Sequence, residues 1–207
     1  MRIKENGRSM VEMLGVLAIV GILSAGALAG YSKAMRQHKL NKQMDEMNVI
    51  IGSIVKNIDT LAESPGLANV SHYLVKMGEI PSEMVKTENK DYLYDSFGNR
   101  MYVYHDTIAG RTITFRANIV AMNDDSPLAY QICRNFILVA KAYSFAISQV
   151  ETLSAYGTDN AKASVLFGDR FCSQGICLRK VTNEQIEDAC TKHRGNTNPE
   201  FKIKFFY

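Results

Sequence analysis

Residues 13–32 contain no Asp, Glu, Lys, Arg or His and are built almost wholly from Leu, Ile, Val, Ala, Gly and Met, with Ser24 as the interior hydroxyl. As an α-helix this run is about 30 Å long, the thickness of a bilayer's hydrocarbon core. It is therefore long enough to span a membrane. A secretory signal peptide is the competing reading, with Arg2 and Lys4 as its basic region and Ala25-Gly26-Ala27 as its cleavage site. Signal peptides carry shorter apolar regions, about 7–15 residues, and here the chain continues past the run as a helix. A buried core helix would have to be apolar on every face inside a small domain.

The rest of the chain is ordinary, and the average conceals the contrast: mean hydropathy over all 207 residues is −0.12. With 46% hydrophobic and 22% charged residues the chain is not disordered and has the length of one or at most two domains. Gly 14 and Pro 4 exclude a collagen-like or low-complexity protein. The 24 basic and 21 acidic residues are interspersed, so the net charge of +3 leaves no electrostatic footprint for nucleic acid, and no nucleic-acid partner is expected.

Glu12 stands at the lip of the apolar run. A carboxylate entering a dry environment is costly unless paired, which makes it a functional candidate; solvation in the headgroup layer is the alternative. Beyond the run come Lys33, Arg36, His38, Lys39 and Lys42, and then an apolar stripe at Leu40, Met44, Met47, Ile51, Ile54, Ile58 and Leu61 with alternating spacings of 4 and 3. No proline interrupts residues 8–64, and Ser64-Pro65-Gly66 supplies a stop. Together these features predict one continuous helix of about 55 residues, roughly 80 Å long, half lipid-soluble and half packed on its own domain rather than on a coiled-coil partner. Small residues in the apolar half (Gly15, Ala18, Gly21, Ala25, Gly26, Gly30) allow close helix contacts.

Gly7, followed by Arg8-Ser9-Met10-Val11-Glu12-Met13-Leu14 and an uninterrupted apolar helix, resembles the prepilin signal of type IV pilins and the related pseudopilins. The resemblance implies cleavage by a prepilin peptidase between Gly7 and Arg8, methylation of the new Arg8 amine, and an assembly role for Glu12, which becomes the fifth residue of the mature chain. It implies a leader at 1–7, a spine helix at 8–64 carrying a transmembrane segment at 13–32, and a head domain at 65–207. The cell would first hold such a protein in the inner membrane, with its N-terminus inside and its head in the periplasm. An inner-membrane assembly platform would then move it into an extracellular helical filament of identical subunits. The position after the glycine is Arg8, where the family more often has Phe, Met or Leu. A type II secretion pseudopilin, a minor pilin and a non-assembling periplasmic domain on a membrane anchor are the alternatives.

In the head, residues 67–77 predict a short helix ended by Gly78 and Pro81, residues 95–99 a turn, and residues 101–105 and 112–120 a hairpin joined through Ala109-Gly110. Asp125-Ser126-Pro127 opens a helix expected to run from 128 to about 153. Residues 165–171 and 176–181 read as strands, Thr182 with Gln185 as a capping box opening a helix to Cys190, and residues 201–205 as a last strand. The class expected is α+β, and the order of elements resembles the longer, type IVb-like pilins: a spine helix packed on an antiparallel sheet with additional helices.

Cys133, Cys172, Cys177 and Cys190 all follow the membrane segment. An even count on the side expected to face the periplasm suggests two disulfides, for which three pairings exist. One pairing closes Cys172 and Cys177 around Ser173-Gln174-Gly175-Ile176 and leaves Cys133 for Cys190, tying the C-terminal region to the core as in similar pilins. The rival is a zinc site at Cys172, Cys177, Cys190 and His193. Export past the membrane favours disulfides, so no metal is expected, and the four histidines are expected to be solvated. No phosphate loop, GxSxG or HExxH occurs, so neither a catalytic residue nor a cofactor is expected.

Overall fold

The structure, a computed structural model, describes residues 10–64, 68–86, 89–106, 112–119, 127–153, 164–191 and 200–207. The chain divides into two compact units, Met1–Lys39 and Leu40–Tyr207. Helix α1 (Met10–Lys56) supplies every described residue of the first unit, and each of residues 10–39 is exposed.

In the second unit α1 has a sided character. Leu40, Met47, Ile50, Ile51 and Ile54 are buried, and Met44 is partly buried against the same core. The helix breaks at Asn57, whose Nδ2 donates to the Ser53 carbonyl (2.9 Å), and α2 (Ile58–Ala62) follows. An asparagine that hydrogen-bonds its own backbone competes with helix propagation. The expected continuous helix to residue 64 is therefore two helices.

The head is α+β. Helix α3 (Ser71–Lys76) stops before Gly78, whose φ of +73° suits a helix terminus. The strands are β1 (Val85–Lys86), β2 (Asn89–Tyr94), β3 (Arg100–Asp106), β4 (Thr112–Asn118), β5 (Ile147–Leu153), β6 (Ser164–Phe167), β7 (Ile176–Cys177) and β8 (Glu200–Phe206), with α4 (Pro127–Ala142) and α5 (Asn183–Thr191) between them. Among the described residues they form one eight-stranded sheet in the order β1-β2-β3-β4-β8-β5-β6-β7. Every pairing is antiparallel except β6 with β7.

Alternation sets the faces. Met101, Val103, Ile113, Phe115, Ala117, Phe201, Ile203 and Phe205 are buried together with the α1 stripe and with Ile132, Phe136 and Ile137 of α4 in one core. The β4–β8 register places Phe115 beside Ile203 and Ala117 beside Phe201, and Phe136 packs on Phe115 and Phe201 at ring-centroid distances of 6.3 and 5.0 Å.

Several sequence expectations are corrected. The helix expected over 128–153 ends at Ala142, and residues 147–153 are strand β5, paired with the centrally placed β8. Residues 143–146 are a turn held by Tyr143 N–H to Ala140 O (3.0 Å) and Ala146 N–H to Tyr143 O (2.9 Å). No glycine or proline marks that turn, and cross-strand pairing overrides local helix preference. The strand expected over 165–171 stops at Phe167, because Gly168 crosses the β5 turn so closely that a Cβ there would lie 1.7 Å from Ile147 O. A 3₁₀ segment (Asp169–Gln174) follows, and the strand expected over 176–181 is the two residues of β7 before another 3₁₀ turn (Leu178–Lys180). Strand β2, not expected, precedes the turn that was. The Ala109-Gly110 link, the Asp125-Ser126 cap and Pro65-Gly66 lie outside the described residues.

Candidate functional site

Glu12 lies in the first described turn of α1. It is exposed, and around it Met10, Val11, Met13, Leu14, Val16 and Leu17 are exposed by 54–85%. Among the described residues, α1 is the one helix long and apolar enough to cross a membrane, and none of its most apolar stretch is buried within the chain. An apolar surface on this scale marks a membrane or an interface. A Cβ added at Gly15, Gly21, Gly26 or Gly30 would meet nothing within 4 Å. Each glycine costs its helix about 1 kcal/mol relative to alanine. Among the described residues no contact requires a glycine at these four positions. Gly7 and Arg8 lie outside the described residues.

A polar network that sequence reasoning missed fastens the buried part of α1 to the sheet. Gln43 donates from Nε2 to Asp95 Oδ2 (2.6 Å), and Asn135 of α4 donates from Nδ2 to the Leu40 carbonyl (3.1 Å). Glu46 Oε2 accepts the Ser96 N–H (2.7 Å), while Asp95 Oδ1 accepts the N–H groups of Phe97 (3.0 Å) and Asn99 (2.8 Å). Gly98, at φ +80°, lets that turn close. Burial pushes the Glu46 carboxyl above its ordinary pKa of 4.5, against the opposing hydrogen bond from Ser96. The sequence signal is a pair of polar residues, Gln43 and Glu46, three apart within the helix that carries the apolar stripe.

Cys133 of α4 is bonded to Cys190 of α5, with Cα atoms 5.8 Å apart, and Cys172 is bonded to Cys177, with Cα atoms 4.6 Å apart. The second bridge joins the 3₁₀ segment to β7, which runs parallel to β6. With Cys190 committed to Cys133, the zinc set Cys172, Cys177, Cys190 and His193 is not assembled, and His193 lies outside the described residues. Asp169 approaches the Cys172 and Cys177 sulfurs, but these are joined to each other and offer no thiolate.

The histidine expectation is also corrected, at His105. Its ring is 4% exposed, with Nδ1 2.7 Å from the Ser64 carbonyl and Nε2 2.6 Å from the Tyr207 hydroxyl. A carbonyl can only accept, so Nδ1 carries the proton and Nε2 accepts from Tyr207 in the neutral ring.

Comparison with protein-family models finds none that matches the chain, and comparison with curated proteins finds no significant match. The residues themselves carry the functional reading.

Proposed function

We propose that this protein is a structural subunit of a type IV pilus or a pilus-like filament, assembled through its N-terminal helix after a prepilin peptidase removes residues 1–7. The observation that carries the reading is the first unit: thirty consecutive helical residues exposed on every side, charge-free from 13 to 32, with Glu12 in the first turn. Lipid covers that surface before assembly, and the helices of other copies cover it afterwards. The glycines with open space at their Cβ positions allow those helices to approach closely.

Glu12 supplies register. As a helix leaves lipid for the filament, its carboxylate pairs with the freed α-amine at Arg8 of a neighbouring copy. The attraction strengthens as the dielectric falls, and only one axial offset neutralises both charges. The α+β head, with a long helix running into a mostly antiparallel sheet and a bridge from α4 to α5, is consistent with a pilin-like layout without being specific to one. Two disulfides suit a head that works outside the reducing cytoplasm.

Mass spectrometry of the protein purified from its own cells tests the proposal. The expected N-terminus is Arg8 carrying one methyl group. An intact Met1, in cells that hold an active prepilin peptidase, would reduce the chain to a membrane-anchored domain that does not assemble.

A further inference from the structure

The face of the sheet opposite the core carries a cluster of tyrosines around one arginine. Tyr102 and Tyr104 alternate with the buried Met101, Val103 and His105 along β3, so both point away from the core. Tyr92 of β2 meets Tyr102 edge-on at 5.7 Å between ring centroids, and Tyr102 lies 6.1 Å from Tyr104. Arg116 of β4 sits directly across from Tyr102 in the register. Its guanidinium lies 4.9 Å from the Tyr104 ring centroid, donates from Nη1 to the Tyr102 hydroxyl (3.2 Å) and pairs with Glu200 at 3.6 Å. With Asn69, these four side chains line a cavity of about 260 Å³, the size of one ring-shaped ligand.

The lining selects by chemistry. Among the described lining residues Arg116 carries the charge; Lys202 stands across from it on β8 and Glu200 lies against both, so two cations face one carboxylate and the balance is positive. The arginine is held in place before any ligand arrives: burial opposes its charge, but the Tyr102 hydrogen bond and the neighbouring Tyr104 and Glu200 outweigh burial and raise its pKa. The same Arg116 makes Lys202 less basic, second to burial. Burial also raises the Tyr104 phenol, which therefore stays protonated at neutral pH. A wholly apolar ligand would take water from the phenol hydroxyls and the guanidinium and return no polar contact, at a cost in desolvation. A ring with C–H groups on its faces, hydroxyls at its rim and one carboxylate matches what is present: π-faces for the C–H groups, phenols and Asn69 for the hydroxyls, and Arg116 for the anion.

We infer that the Tyr92–Tyr102–Tyr104–Arg116 cavity binds a single sugar ring bearing a carboxylate. Saturation-transfer NMR on the full chain in phosphatidylcholine nanodiscs, whose headgroups carry no sugar, tests this with glucuronic acid and glucose as probes. Transfer to the glucuronate ring protons is expected, with glucuronate binding about tenfold or more tighter than glucose, as one charge-assisted contact implies. Arg116→Gln should abolish the preference for glucuronate. Tyr92→Ala should weaken both sugars while the melting midpoint stays near that of the unaltered protein, which keeps the test valid if the arginine variant folds poorly. No transfer to either sugar, equal affinity for the two, or unchanged binding in Tyr92→Ala would overturn the inference. Filament assembly plays no part in this measurement, so its failure would leave the reading of α1 intact.

Discussion

The two units of this chain use the same residue types to opposite ends. In residues 10–39, Leu, Ile, Val and Met are all exposed, and four glycines have open space where a side chain would go. In Leu40–Tyr207, the same apolar types are buried to a few per cent or less along one face of each main element, and Gly168 is fixed by a backbone oxygen where its Cβ would lie. The head satisfies itself, whereas the leading helix can be satisfied only by something outside the chain. Stability of the fold and the proposed assembly should therefore be separable by mutation.

The largest separation is expected for Glu12→Ala. Filament yield, read by immunoblotting the sheared surface fraction, should fall by about tenfold or more, as expected for losing one charge-assisted pair, while the thermal midpoint of the head is unchanged. A parallel fall in that midpoint would break the contrast between the units. Replacing Cys133 and Cys190 together by Ala opens a loop of sequence separation 57 and should cost the head about 4 kcal/mol in denaturant unfolding. Gly168→Ala forces a Cβ against Ile147 O and should cost about 3 kcal/mol, whereas Gly21→Ala should leave head stability alone and favour the isolated helix by about 1 kcal/mol. Equal effects of the two alanines on head melting would erase the distinction.

The smallest effect is electrostatic. Because the folded pKa of Glu46 is raised, its contribution to stability is fully present below the ordinary value of 4.5 and is lost as pH rises through the folded value. Glu46→Gln keeps an acceptor for the Ser96 N–H and should remove that part of the pH dependence. The variant should gain less than about 1 kcal/mol at pH 7 and nothing in acid. A variant that loses stability at neutral pH would show that the ionised carboxylate is needed.

Much of this was legible in the sequence because some signals are local. The charge-free run, the 4-and-3 stripe and the Thr182–Gln185 box, whose reciprocal bonds form at 3.2 and 3.0 Å, depend on neighbours in the chain. The strand at 147–153 was not legible, since nothing near Ala142 marks a stop and β8, one of its two pairing partners, lies some fifty residues on. The buried state of His105 escaped for the same reason, because Ser64 and Tyr207 are 41 and 102 residues away. The tyrosine–arginine cavity depends on the β3–β4 register, which alternation suggests but does not fix.

The order of strands bears on when the head can mature. Strand β8 is the last in sequence yet lies between β4 and β5, joining the two halves of the sheet. A head that emerges in sequence order would have its earlier strands waiting with a gap at their centre. Closure must follow release of the final segment, and because Cys190 precedes that segment, an oxidant could seal the α4–α5 bridge before or after the gap is filled. In a head that emerges in sequence order, sheet completion therefore waits on residues 200–206 and follows every earlier strand.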